Sequence, residues 1–249
     1  MAVLEEDRGE LILEHLKRYR VTTTETLQRV FYSDAKNEEA LKSQLRRLRK
    51  RKLIESDDLF EKRVYYFLTP SGASHVHLAQ KSGGEIRDEN ILRRRYASLL
   101  FSCHGPVPRP RFTLEEFDCA FPGVRQANRE LEASFHGLDL YLDSEGDTPR
   151  LGRMLLITAL SGDPAALCRQ AYRRACETFP DFVREDLFTL AVIVPTPGAK
   201  DRLETALATF PIRDGAPVPL RVEAMMELLP LLEKRPAAGS KPTRGGAHG

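Results

Sequence analysis

Seven cations stand in the eleven residues KSQLRRLRKRK, from Lys42 to Lys52, with no acid among them. A run of this kind neutralises phosphates, and where a side chain reaches a base edge it also reads sequence. What it does depends on the helix face that carries it. Leu41, Leu45 and Leu48 fall at i, i+4 and i+7 and must face a core. At about 100° per residue the opposite side holds Lys36, Glu39, Ser43, Arg46, Arg47 and Lys50. Cations gather there instead of alternating with acids, as they would on a helix stabilised by its own i,i+4 pairs.

Other chemistry is sparsely provided. No GxxxxGK[ST], HExxH, GxSxG or GxGxxG occurs. Cys103, Cys119, Cys168 and Cys176 are widely spaced without a CxxC pair, so reduced, partly buried thiols are expected in place of a metal ribbon. Cys103 adjoins His104, but no second pair at ligand spacing answers it. His75, His77 and His136 are scattered, and Tyr172, Arg173 and Arg174 read as a solvated helix face. The expectation is a non-enzyme with neither cofactor nor metal.

The elements around the basic run decide its setting. GELILEHLKRY places Leu11, Ile12, Leu16 and Tyr19 on one side of a first helix. In VTTTETLQRVFY, Thr22 stands three residues before Glu25, a capping-box spacing for a second helix with Leu27, Val30 and Phe31 inward. Ser33 and Asp34 are candidate caps of the third, basic helix. LIES then reads as a short strand, DDLFEK as a turn or loop, and RVYYFLT as the returning strand of a hairpin. Three helices and a hairpin predict a winged helix-turn-helix, whose third helix enters a DNA major groove while Lys62 and Arg63 on the wing touch the backbone.

The segments QLRRLRKRKLIES, VTTTETLQRVFYS and the wing exit YYFLTPSG resemble the N-terminal winged helix of the plasmid replication-relaxation family, and more loosely PadR and MarR regulators, over roughly Leu11 to Leu78. In winged-helix proteins the middle of the third helix reads bases; the matching positions are Ser43, Gln44, Arg46, Arg47 and Lys50, with Arg suited to guanine and Gln to adenine. Lys42, Arg49, Arg51 and Lys52 fit phosphate contacts. The resemblance implies control of plasmid or mobile-element replication or mobilisation, and a transcriptional repressor would carry the same head.

A chain of 249 residues with 41% hydrophobic residues has room for two domains, while 38 cations against 36 acids leave a net charge of +2 that says little about partners. The expected α+β organisation is a winged-helix domain over 1–82, a connecting helix and Pro-rich loop over 83–111, a small α/β domain over 112–234, and a disordered basic tail over 235–249. The connecting helix RDENILRRRYASLLFSC either pairs with a copy of itself, making a homodimer, or packs on its own C-terminal domain. Beyond Phe112, LDLYLD, RMLLITAL and LFTLAVIVP read as strands, PAALCRQAYRRACETF and AKDRLETALATF as helices, and PLRVEAMMELLPLLEK as a last strand and helix.

This layout resembles the C-terminal domain of replication-relaxation proteins, itself like a reduced restriction-endonuclease fold. Active members of that class hold Mg²⁺ with an Asp on one strand and Glu-x-Lys on the next. Asp139 or Asp143 fits the first requirement, but Ile157, Thr158 and Ala159 stand where the second would fall, so metal-dependent cleavage is the disfavoured alternative. No apolar run approaches the roughly 20 residues of a membrane span. The expected protein is cytoplasmic and meets double-stranded DNA, with a homodimer partner or a protein partner for the α/β domain and no membrane.

Overall fold

The computed structural model describes residues 2–32, 38–60, 63–79, 83–105, 107–124, 139–144, 149–157, 163–209 and 220–233. Ser33, Asp34, Lys36, Lys62, His136, Thr158, Ala159 and the tail from 235 onward lie outside the described residues.

Helices α1 (Ala2–Tyr19), α2 (Thr24–Phe31) and α3 (Glu38–Lys50) enclose a small core. There Ile12, Leu13 and Leu16 meet Leu27, Leu41, Leu45 and Leu48. Each buried leucine contributes about 2 kcal/mol by removal from water, and the i, i+4, i+7 stripe thus fixes which side of α3 faces solvent. Strand β1 (Ile54–Phe60) pairs antiparallel with β2 (Arg63–Leu68), and α4 (Pro70–His75) closes the unit. Thr22, between α1 and α2, exchanges two backbone hydrogen bonds with Tyr66 of β2, at 3.1 and 2.8 Å. This corrects the expected cap. With the backbone of Thr22 committed to the strand, α2 starts one residue later, and the Thr23 hydroxyl oxygen accepts the Thr26 N–H at 3.2 Å.

The chain leaves α3 through a left-handed residue, Lys52 at φ 57. The Leu53 N–H donates to Leu48 O at 3.1 Å and the Lys52 N–H to Arg49 O at 2.9 Å, so the last carbonyls are satisfied and the strand is turned back under the helix. β1 then runs further than LIES: DDLF is strand, because Leu59 and Phe60 bury themselves against elements from the other end of the chain.

Those elements form a four-stranded sheet in the order β3 (Leu140–Asp143), β4 (Arg150–Leu156), β5 (Phe188–Val194), β6 (Leu220–Ala224). The β3–β4 pair is antiparallel and the remaining two pairs are parallel. Parallel neighbours need crossovers, supplied here by α7 (Pro164–Thr178) with the short α8 (Pro180–Arg184), and by α9 (Pro197–Thr209). All seven residues of β5 are buried, as its unbroken apolar run requires. One face of the sheet packs on α7, α9 and α6 (Leu114–Ala120).

The other face packs on α5 (Glu89–Cys103), which shares one apolar core with the hairpin and the sheet. One apolar cluster runs from Leu59, Phe60, Tyr65 and Phe67 of the hairpin, through Leu92, Tyr96, Leu99 and Phe101 of α5, to Tyr141, Met154 and Ile193 of the sheet. Leu228 and Leu231, around the start of α10 (Leu229–Glu233), seal it. The last two turns of α5 are buried all round, so its apolar side packs within the chain, the second of the two alternatives. Among the described residues no helix is long and apolar enough to cross a membrane.

Candidate nucleic-acid interface

On α3 the leucine stripe points inward, and Ser43, Arg46, Arg47, Arg49 and Lys50 are exposed, with Arg51 and Lys52 exposed just beyond. The side chains of Arg46, Arg49, Lys50, Arg51 and Lys52 form no ion pair or hydrogen bond with any described residue. A helix C-terminus favours cations through its dipole, but that effect is confined to the last turn, whereas Arg46 stands one turn earlier.

Two expected contacts change character. Gln44 is only 6% exposed: it packs over Gly9 of α1, where a Cβ would come within 2.3 Å of its Nε2, and its Oε1 accepts from Arg47 Nη1 at 3.3 Å. It belongs to the α1–α3 contact and is not placed to read adenine. Lys42 is held by Glu38 at 2.7 Å and Glu39 at 3.2 Å, which raise the pKa of its ammonium. It enters any phosphate contact with part of its charge already balanced by those two carboxylates.

The hairpin differs more. Arg63 lies 5.4 Å over the Phe60 ring and 3.8 Å from the Glu25 carboxylate, which turns it toward α2 and α5. The outward residues of β1 are Glu55, Asp57 and Asp58, all exposed. An acidic strand repels a phosphate backbone, so among the described residues the hairpin braces α3 and does not extend its cationic surface. Lys62 lies outside the described residues.

Asp139 and Asp143 bound β3, but each carboxylate is already engaged. Asp139, 2% exposed at its side chain, lies 3.3 Å from Arg94 Nε, 3.4 Å from Arg111 Nε and 3.9 Å from Arg95 Nη1. Asp143 lies 3.6 Å from Arg221, which also approaches Glu223; Glu223 accepts from Arg109 Nη1 at 2.6 Å. The guanidinium groups beside these two carboxylates oppose a divalent cation by charge. Among the described residues no three His, Cys, Asp or Glu side chains are grouped to hold a metal.

The arginines around Asp139 went unnoticed in the sequence. Arg20, Arg95, Arg111 and Arg153 all have lowered pKa values, burial being the largest cause in each; for Arg95 it is pushed down to about 9. Their only shared signal was the triplet Arg93 to Arg95 on a helix; the others are far apart in the chain. Three of the described histidines are held in structural contacts by contrast. His15 Nε2 and Thr22 Oγ1 are hydrogen-bonded at 3.0 Å, His104 Nε2 and Thr26 Oγ1 at 2.9 Å, and His75 pairs with Glu10 at 3.0 Å. All four cysteines are free thiols. No protein-family model, no curated protein and no solved structure matches the chain.

Proposed function

We propose that this chain is a non-enzymatic double-stranded DNA-binding protein whose first three helices and hairpin act as a winged helix, with α3 entering the major groove. The observation that carries this reading is the row Arg46, Arg49, Lys50, Arg51 and Lys52, exposed and unengaged by any described side chain, opposite the leucine stripe that fixes α3. The strand bridge of Thr22 to Tyr66 supports it, since a short strand between the first two helices pairing with the hairpin completes the sheet of a winged helix. Ser43, Arg46, Arg47 and Lys50 are the base-reading candidates, and Arg49, Arg51 and Lys52 position the duplex. The sheet domain, which the resemblance likens to a degenerate restriction-endonuclease fold, serves as scaffold through α5. The same resemblance makes plasmid or mobile-element replication control the proposed role; a repressor would use the same head, and gene neighbourhood separates the two.

The test is fluorescence-anisotropy binding of a random duplex of about 30 base pairs over a salt series. Wild type is expected to lose affinity steeply with salt, and Arg46→Ala/Arg49→Ala/Lys50→Ala to lower the slope by about one unit for each phosphate contact removed. A salt-insensitive wild type, or a triple variant with unchanged affinity and slope, overturns the proposal.

A further inference from the structure

A cleft of about 250 Å³ opens between α1, β2, the segment after α4 and the first turn of α5. Its walls divide by chemistry. Leu16, Phe67, Ile86 and Ile91 give it an apolar body, with Ile91 at 41% exposure for a large aliphatic side chain, and Arg20 and Arg95 stand at its polar end. Arg20 is the unusual member. Its Nη1 is buried and has no hydrogen-bond partner, no described acid pairs with it, and the charged group dominating its surroundings is another cation, Arg111. A buried guanidinium nitrogen left without an acceptor is costly, and cations in protein interiors are nearly always paired. Asp139, the carboxylate that faces Arg94, Arg95 and Arg111, forms no ion pair with it.

We propose that this cleft is a binding site for a small monoanion with an apolar body, an aliphatic or one-ring carboxylate, whose charged head meets the Arg20 guanidinium while its hydrocarbon lies along Leu16, Phe67 and Ile91. Size agrees: a cavity of ~150 Å³ holds benzene, so 250 Å³ leaves room for about six to ten carbons. The carboxylate gives an acceptor to the Arg20 guanidinium, whose Nη1 has none in the unbound chain, and a planar fork is the usual partner of a carboxylate. The site touches elements on both sides of the expected domain boundary and stands whether or not α3 binds DNA.

The probe is hexanoate, titrated by calorimetry into the full chain, with hexanol as neutral isostere and inorganic phosphate as an anion without an apolar body. Saturable one-site binding of hexanoate is expected, with hexanol and phosphate each about tenfold weaker or more. Arg20→Gly is the informative variant: Arg20 sits at φ 70, the left-handed position closing α1, which glycine adopts without strain, so the guanidinium is removed while the turn is kept. It is expected to weaken hexanoate about tenfold or more and to leave hexanol unchanged. Methyl NMR of the wild-type chain, needing no variant, is expected to place the hexanoate-induced shifts on Ile86 and Ile91. Absence of binding at millimolar hexanoate, equal binding by Arg20→Gly, phosphate matching hexanoate, or shifts confined to other methyls would each overturn the proposal.

Discussion

Two arginine-rich regions of this molecule share a residue type and differ in almost every physical respect. On α3 the guanidinium groups of Arg46 and Arg49 lie in water on a helix whose opposite side is nailed down by leucines. Around Asp139 the guanidinium groups of the buried Arg111 and the mostly buried Arg95 face one another across a single described carboxylate and have lowered pKa values because water has been removed. The first region holds its charge at little cost to the fold and has it available for a partner. In the second the charge is part of the fold, and its removal is felt as stability.

The sharpest way to break this contrast is to remove one charge from each region. Asp139→Asn keeps the size of the side chain and suits the left-handed backbone at φ 47, which asparagine tolerates. It leaves three guanidinium groups without their shared counter-ion, and is expected to cost about 3–5 kcal/mol in urea denaturation. Arg46→Ala should stay within about 0.5 kcal/mol of wild type. Equal costs for the two would erase the distinction between a structural and an available cation cluster.

That asymmetry also explains what could be read from residues alone. The face of α3 was legible because its determinants are local: Leu41, Leu45 and Leu48 are one turn apart, and the cations fill the gaps between them. The four strands and the helices α7 and α9 were legible for the same reason, their apolar patterns being local, whereas the short helices α6 and α8 were not read. Gln44 was not, because its burial depends on Gly9, which leaves room for it from another helix. Leu59 and Phe60 looked like a loop because their partners, Tyr96 and Leu231, come from later in the chain. The cluster at Asp139 draws on residues from position 20 to position 153, with no periodicity to connect them. Local patterning reported the cationic face of α3, while long-range closure built the cleft.

A smaller effect tests how firmly β3 and β4 are clamped beside that cluster. Tyr141 lies across from Gly152 in the β3–β4 register and stacks edge-on against Phe101, with ring centroids 4.8 Å apart. A Cβ at position 152 would come within 2.2 Å of the Tyr141 ring. Gly152→Ala must therefore displace the ring from a packed core, and a loss of about 1–3 kcal/mol is expected in the same denaturation assay. A neutral result would mean that the ring yields freely, and the Asp139 region would then be softer than its burial implies.

Acid gives a graded version of the comparison within the first unit. Burial, helped by Arg18, pushes the His15 pKa down from 6.5 to about 3. The unfolded chain takes up this proton near pH 6.5 and the folded chain does not, so the contribution is complete above pH 6.5. It is lost as pH falls from there toward 3, by up to about 1.4 kcal/mol per pH unit. His15→Gln retains a polar partner for Thr22 and removes the titration, so its stability profile should be flatter over that interval than that of wild type. Parallel profiles would show that His15 takes no part in the acid response.

The finest distinction lies inside the basic helix itself, between Lys42, which Glu38 and Glu39 already hold, and Arg49, which no described side chain engages. If α3 binds DNA by releasing counterions, Arg49→Ala should lower the salt slope by about 0.9, one phosphate contact. Lys42→Ala should lower it by clearly less, since two carboxylates already serve as its counter-ions in place of mobile salt. Glu38→Gln/Glu39→Gln should then raise both affinity and slope, by freeing Lys42 and removing two acids from the edge of the interface. If Lys42→Ala instead matched Arg49→Ala, the acidic first turn of α3 would have to open on binding, and engagement in the unbound protein would no longer separate contact residues from bystanders.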